Sequence, residues 1–291
     1  MQGVKPDIDY KIEQFPLLDE RQTYFYLRRT EDATVAAVGR IGGPGAHRAR
    51  LLDVGCGLGL QAAKTWRQGW EAHGMDASES MLRLGQYQSH TVHKHIPVIR
   101  GIAEALPYRD CTFDLVMCQG AMDHFADADK FFAEATRVLK PGGCLVIALA
   151  NYESLSCRIG HTFHKLVGRI GVRTPANFRF WEIPDDHTFR GSYRFLKKLG
   201  RGRLRLVKMH GASMFLFLPP WRGLLEALSF GASRATFRVV DRIAYRLPVA
   251  ADVIIAVWRK DESASRRGNW RSALAEWKRR SSAVPSYLAQ P

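Results

Sequence analysis

Three groups of residues in this 291-residue chain have types and spacings that could do chemistry. The first is the run Leu51-Leu52-Asp53-Val54-Gly55-Cys56-Gly57-Leu58-Gly59-Leu60. Glycines permit positive φ and let backbone N–H groups come close to a ligand. A glycine-rich turn between a strand and a helix suits a nucleotide at the carboxyl edge of a parallel sheet. The spacing is Gly55-x-Gly57-x-Gly59, and the residue three after Gly57 is Leu60, so this is not the dinucleotide fingerprint G-x-G-x-x-G. Asp53 stands two residues before the first glycine. A carboxylate there is a poor neighbour for a pyrophosphate and a good one for a cation such as an amino group. The second group is Asp76, which ends an apolar run and can accept hydrogen bonds from both hydroxyls of a ribose. Its competing role is capping the helix that Ala77-Ser78-Glu79-Ser80 opens.

The third group could move protons. In Gln119-Gly120-Ala121-Met122-Asp123-His124-Phe125, His124 could take a proton from a hydroxyl, with Asp123 orienting it. The structural alternative has Asp123 capping the next helix and His124 packing on its first turn. His187, within Asp185-Asp186-His187-Thr188-Phe189-Arg190, is a second candidate base; its alternative is a surface capping role before a helix at 193–199. The five cysteines (Cys56, Cys111, Cys118, Cys144 and Cys157) form no C-x-x-C pair and have no zinc-ligand spacing, so no metal is expected. They read as reduced, mostly buried thiols of a cytoplasmic protein.

These residues need a framework, and the hydrophobic pattern supplies one. Short apolar strands are expected at 50–54, 71–75, 97–101, 113–118 and 144–150, with helices at 58–68, 77–88 and 128–139; Pro141-Gly142-Gly143 should stop the last helix. Strands alternating with helices imply βαβ units and a parallel sheet, and near-continuous apolar runs such as 144–150 fit strands covered on both faces. A helix is expected over 17–41, with Tyr24 and Tyr26 as either a lid over the site or its core face. The second half reads as helices at 155–170, 193–199 and within 221–247, and strands at 204–209 and 251–258. A tail from Asp261 is polar, with one helically spaced stretch at 269–280.

Composition narrows the function classes. Hydrophobic residues make up 46% and charged residues 24% of the chain, ordinary for a globular protein. No apolar run is long enough to span a membrane, and Met1–Tyr10 lacks the basic and apolar regions of a secretory signal. The charge is lopsided. Residues 1–150 carry 17 lysines and arginines against 18 acids, whereas residues 151–291 carry 26 against 10. Arg234, Arg238, Arg242 and Arg246 recur every four residues and form one cationic stripe on a helix. This half could dock on an anionic membrane surface; the alternative is a core helix with an arginine-rich polar face. Nucleic acid is the less favoured anionic partner, because no dedicated nucleic-acid module is recognisable.

The chain resembles the class I S-adenosylmethionine-dependent methyltransferases, in particular the broad small-molecule and lipid group (type 11-like). The likeness covers about residues 45–150. It is carried by Leu51–Leu60, by Gly74-Met-Asp-Ala-Ser-Glu-Ser-Met-Leu82, by Arg100-Gly-Ile-Ala-Glu-Ala-Leu-Pro-Tyr108 through Phe113-Asp-Leu-Val116, and by Arg137-Val-Leu-Lys-Pro-Gly-Gly143. The resemblance implies S-adenosylmethionine as cofactor, with the loop of Gly55, Cys56, Gly57 and Gly59 beneath its methionine and ribose. Asp53 would help hold the methionine amino end, and Asp76 would bind the ribose diol. Ala77 would pack on the adenine, Ala103 would offer it a backbone N–H with Glu104 beside it, and Gln119 would line the methionine side. Many relatives have an acid or amide where this chain has Ile102, which cannot accept a hydrogen bond from the adenine amino group. Cys56 is read as a small filler. The segment 185–190 resembles one that closes over the acceptor pocket.

The expected fold is an α/β, Rossmann-like seven-stranded sheet with an antiparallel last strand and helical additions over its carboxyl edge. The expected organisation is an N-terminal helical lid (1–45), a cofactor-binding core (46–150), the rest of the sheet with substrate-side helices (151–260) and a flexible basic tail (261–291). The expected function is S-adenosylmethionine-dependent methylation of a small or lipid-like acceptor, on oxygen first, with Asp123 also placed to assist a C-methylation. RNA methylation is one alternative. The other is a catalytically inactive cofactor-binding scaffold at a membrane surface. The expected location is cytoplasmic or peripheral to a membrane.

Overall fold

The computed structural model describes residues 29–41, 49–88, 96–171, 179–184, 186–215 and 218–261. In chain order the elements are α1 (Arg29–Ile41), β1 (Arg50–Val54), α2 (Leu60–Arg67), β2 (Glu71–Asp76), α3 (Glu79–Gln88), β3 (Val98–Arg100) and β4 (Phe113–Gln119). They continue with a 3-10 turn (Met122–His124), α4 (Ala128–Val138), β5 (Leu139–Ala150), α5 (Leu155–Arg169), α6 (Tyr193–Lys198), β6 (Arg205–Ala212), α7 (Pro219–Ala227), α8 (Phe230–Arg246) and β7 (Val253–Arg259). The strands form one seven-stranded sheet in the order β3-β2-β1-β4-β5-β7-β6. β1 to β5 pair in parallel, and β7 pairs antiparallel with both β5 and β6.

Side-chain alternation along each strand feeds two cores, one on each face. Leu52, Val54, Val116, Cys118, Leu145 and Ile147 pack on Phe131 and Phe132 of α4 and Leu196 of α6. Leu51, Leu115, Met117, Val146 and Ala148 pack on Ala33, Ala37 and Val38 of α1 and Ala62 and Ala63 of α2. Burial on both faces explains why these strands read as continuous apolar runs. Strand order reverses between β1 and β4, which opens a crevice at their carboxyl ends. Asp53 and Gln119 lie at that crevice.

Several elements depart from the sequence expectations in detail. α4 ends at Val138, and β5 begins at Leu139 and runs through Pro141, Gly142 and Gly143. Gly143 lets this stretch pass close to its neighbours: a Cβ there would lie 2.9 Å from the Lys140 carbonyl oxygen and 3.0 Å from that of Asp114. α1 packs into the core, and Lys64 of α2 holds it through Glu31 at 3.0 Å and Asp32 at 3.1 Å. Tyr24, Tyr26 and the stretch 269–280 lie outside the described residues.

α8 lies against β6, with Asp241 beside Ser213 at the carboxyl end of the strand and Ala244 and Tyr245 beside Gly211 and His210. Its buried Asp241 pairs with the buried Arg29 of α1 and also accepts from the Ser213 backbone N–H at 3.0 Å. Arg29 lies 3.6 Å over the ring of Phe237. Along the arginine stripe, Arg242 and Arg246 are exposed, while Arg234 and Arg238 are partly buried.

His210 on β6 is buried against Tyr245, with ring centroids 4.8 Å apart. Burial, with Arg40 and Lys208 nearby, pushes its imidazole from the usual 6.5 down to about 3. The unfolded chain therefore takes up a proton here at a higher pH than the folded chain does. Stability should fall as pH drops from about 6.5 toward 3. Replacing His210 by glutamine should flatten the fall of Tm between pH 6.5 and 4, once the offset at pH 7.5 is subtracted. An unchanged slope would contradict this.

Candidate active site

The glycine loop has the backbone its spacing implies. Gly55, Gly57 and Gly59 have φ of 73°, 52° and 75°. At Gly55 a side chain is also excluded by space, since a Cβ would lie 2.3 Å from that of Ala121. Gly55→Ala should therefore both strain the loop and push the segment after β4 away. We expect a loss of about 2 kcal/mol or more of stability, measurable by urea unfolding; a change within 0.5 kcal/mol would contradict it.

Asp53 is buried beneath the first turn of α2, near the Ala62 N–H. Among the described residues its Oδ2 has no hydrogen-bond partner. Burial first, and the nearby Asp76 second, push its carboxyl from 3.8 up to about 8. Asp76 is partly buried at the tip of β2. Its Oδ2 accepts from Gly57 N at 2.7 Å and its Oδ1 from Ser78 N at 2.9 Å. The helix-capping role falls to Ser78, whose Oγ accepts from Met81 N at 3.3 Å. Asp76 is thus oriented by the glycine loop, and each carboxylate oxygen keeps capacity for a further donor. Cys56 is buried, and burial raises its thiol well above the usual range, which suits a filler.

The loop 101–110 is held by α4. Arg137 donates to the carbonyls of Tyr108 at 2.7 Å and Leu106 at 2.8 Å, and Glu134 accepts from Leu106 N at 2.8 Å. This fixes Ala103, which is buried, and Ile102, whose side chain is exposed. Glu104 turns to the start of α4, where it accepts from Asp127 N at 3.1 Å. Ala77 is exposed just after Asp76. Gln119, at the end of β4, has a buried Oε1 without a partner.

On the other side of the crevice the fold joins the two candidate bases. Asp123 is buried; its Oδ2 lies 3.3 Å from His187 Nδ1, and its Oδ1 has no partner. His187 Nδ1 is also 3.0 Å from the hydroxyl of Tyr152. The rings of His124 and His187 meet edge to face at 4.5 Å, and His124 Nδ1 lies 3.5 Å from Asp186 Oδ2. The segment carrying His187 is pinned by Thr188, which donates its N–H to the Asp123 carbonyl at 2.7 Å and its hydroxyl to that of Phe125 at 2.6 Å. The capping alternatives are not what is seen. Asp127 caps α4, accepting from Asp129 N and Lys130 N at 3.0 Å each, and Ser192 caps α6. Gly55 of the glycine loop packs directly on Ala121, which opens the segment carrying Asp123 and His124, so the two halves of the site adjoin.

Tyr152, Thr188 and Asp186 were not singled out from sequence. The available signal was position, since Tyr152 follows the carboxyl end of a buried parallel strand, where ligands of such sheets sit. Asp123, His124 and His187 also bring ligand-capable atoms within 4.8 Å of one another. The expectation of no metal rested on spacing along the chain, and such spacing does not display a donor set assembled by folding from positions 123 and 187.

These features fit S-adenosylmethionine. An orphaned buried carboxylate oxygen on Asp53 suits the amino group, an oriented carboxylate on Asp76 suits the ribose diol, and the loop between them admits no side chains at Gly55. Comparison with known proteins agrees. Residues 52–147 match the family described as a methyltransferase domain. The chain is 30% identical over 141 residues to a ubiquinone biosynthesis O-methyltransferase of Maricaulis maris, covering 43% of this chain and 56% of that protein. It is 31% identical over 172 residues to the Bradyrhizobium protein of the same name, covering 59% and 64%. The chain thus spans less than two thirds of the length of these curated relatives. A Thermotoga maritima structure, described as a S-adenosylmethionine-dependent methyltransferase and possible histamine N-methyltransferase, superposes with a TM-score of 0.51 at 18% identity. That match covers 83% of this chain and 94% of the other, and shows the shared fold. Sequence match and strand order agree that residues 52–147 form a methyltransferase domain, and the geometry of its glycine loop suits S-adenosylmethionine.

Proposed function

We propose that this protein is an O-methyltransferase that acts on a small, lipid-like acceptor, a hydroxylated ring bearing an apolar tail. The observation that carries the reading is the Asp123–His187–Tyr152 network beside the cofactor loop. The names of the curated relatives support both the oxygen acceptor and its lipid character. S-adenosylmethionine supplies a methyl group on a sulfonium, which leaves as a neutral thioether. What remains for the protein is to align the hydroxyl, exclude water and remove one proton. Asp123 and Tyr152 both approach Nδ1 of His187, and the reading assigns uptake of the acceptor's proton to Nε2. Asp123 favours the imidazolium that forms, and His124 walls the other side of the site. Gln119 and Asp53 hold the methionine end, and Asp76 the ribose.

The test is methyl transfer to a dihydroxybenzoate with and without a short prenyl tail, each assayed with and without EDTA. The expected result is an ether product, a lower KM for the tailed ring and no effect of EDTA. Activity abolished by EDTA and restored by a divalent cation would reassign Asp123, His124 and His187 to metal binding. Transfer to neither ring, with cofactor binding intact, would overturn the reading of the acceptor.

A further inference from the structure

The second half of the chain holds an apolar surface that the site does not use. On α5, Leu155, Ile159, Phe163, Leu166 and Ile170 are 36%, 42%, 61%, 59% and 77% exposed. At 3.6 residues per turn they fall within an arc of about 80°. The opposite side is the packed one: Ser156, Cys157 and Gly160 are buried, and a Cβ on Gly160 would lie 2.6 Å from Trp181. Ser156 Oγ accepts from Phe215 N at 2.9 Å. Arg158, Lys165 and Arg169 are all exposed, and helical geometry sets them along one flank of the apolar stripe. Between Glu153 and Glu182 the chain has no acidic residue. The apolar surface continues past the helix. Leu155 N donates to the Ala250 carbonyl at 3.1 Å, which brings the half-exposed Leu247 and Val249 alongside.

We propose that α5 is an interfacial anchor lying in the surface of an anionic lipid bilayer. Its five apolar side chains enter the acyl boundary, and Arg158, Lys165 and Arg169 meet headgroup phosphates. Exposed apolar stripes of this size on a soluble surface mark interaction sites, and a basic flank beside one is the pattern of a helix that lies on a membrane. Among the described residues no helix is long and apolar enough to cross one. Charge selects the bilayer over a second copy of this chain. Two α5 helices paired antiparallel about a two-fold axis would bring their cationic flanks together, and in a parallel pair each flank would still meet no acid on the other α5. The anchor is also placed for use. It begins three residues after Tyr152, whose hydroxyl holds His187, so a tailed acceptor leaving the bilayer enters at the reacting end of the site. This last point rests on the proposed function; the docking itself does not.

The test is flotation of the full chain with vesicles of phosphatidylcholine, with and without 30% phosphatidylglycerol, at low salt. The wild-type protein should float with the anionic vesicles and far less with the neutral ones. The triple variant Ile159→Ser, Phe163→Ser, Leu166→Ser removes only exposed apolar groups and should lower the partition coefficient by about a hundredfold or more. Neutralising Arg158, Lys165 and Arg169 to glutamine should cost about fivefold per cation. Both variants should keep the wild-type kcat on a tail-free ring. A wild-type protein that does not float would overturn the proposal, and so would a serine variant that floats undiminished, which would move docking to the arginines of α8. A dimer in light scattering that the serine variant dissolves would reassign the stripe to self-association. Docking lost with acceptor activity retained, or the reverse, separates this proposal from the functional one.

Discussion

Replacing Asp53 by asparagine should make the ligand-free protein more stable at pH 8 and its binding of S-adenosylmethionine weaker. The carboxyl is fully buried with one oxygen orphaned, and it loses its proton only at about pH 8, against 3.8 for an ordinary aspartate. The sign follows from linkage. Between those values the unfolded chain is ionised here and the folded chain is not, so stability is highest below the lower value and declines as pH rises toward the upper one. Asparagine has no proton to lose and removes that decline, so the two proteins should converge toward pH 4 and separate by pH 8. Cofactor binding works the other way. The ammonium group of the methionine end calls for the carboxylate, so binding at pH 7 should expel a proton from Asp53. Calorimetry in two buffers of different ionisation enthalpy should detect that proton in the wild-type protein and not in Asp53→Asn. A hydrogen bond to a charged group contributes about 1.5–3 kcal/mol, so Kd should rise roughly ten- to a hundredfold. Equal Kd values and equal proton counts would remove Asp53 from the methionine end.

The second large effect concerns His187. If it takes the acceptor's proton, His187→Ala should lower kcat by about 10²- to 10⁴-fold, the usual range for a positioned base. The Kd for S-adenosylmethionine should stay within about twofold, because the proposed role of His187 is toward the acceptor and not the cofactor. Tyr152→Phe removes the 3.0 Å contact to Nδ1 but leaves Asp123 in place. Its loss should be smaller, about tenfold, and should fall on kcat and not on KM. Single-turnover rates with saturating cofactor check both variants. A wild-type rate in His187→Ala would show that the acceptor reaches the sulfonium already deprotonated, or that another group serves.

The cofactor half of the site was legible because its chemistry is local. Asp53, Gly55, Gly57 and Gly59 lie on one strand and turn, and Asp76 ends the next strand, so their order along the chain is their order in space. The acceptor half was legible only in pieces. His124 and His187 were each recognised as candidate bases, but their meeting depends on Thr188 pinning one segment onto the other, and no spacing encodes that. Tyr152 was missed because its role comes from where β5 ends and not from neighbours in sequence. Helical periodicity found the stripe Leu155, Ile159, Leu166 and Ile170, since a period reveals a face. It does not say whether that face points inward, and here Trp181 and Gly160 occupy the packed side. Charge is ambiguous in a similar way: the four-residue repeat of α8 marks a stripe, and Asp241 and Arg29 fasten another side of that helix beside β6.

The most direct measurement uses S-adenosylmethionine labelled in its methyl group, incubated with the purified protein and an extract fractionated into lipid, nucleic acid, protein and small aqueous molecules. The account predicts protein-dependent label in the lipid fraction, recovered as a methyl ether by mass spectrometry and lost in His187→Ala. Label recovered instead in RNA, or as a methyl on carbon or nitrogen, would contradict it.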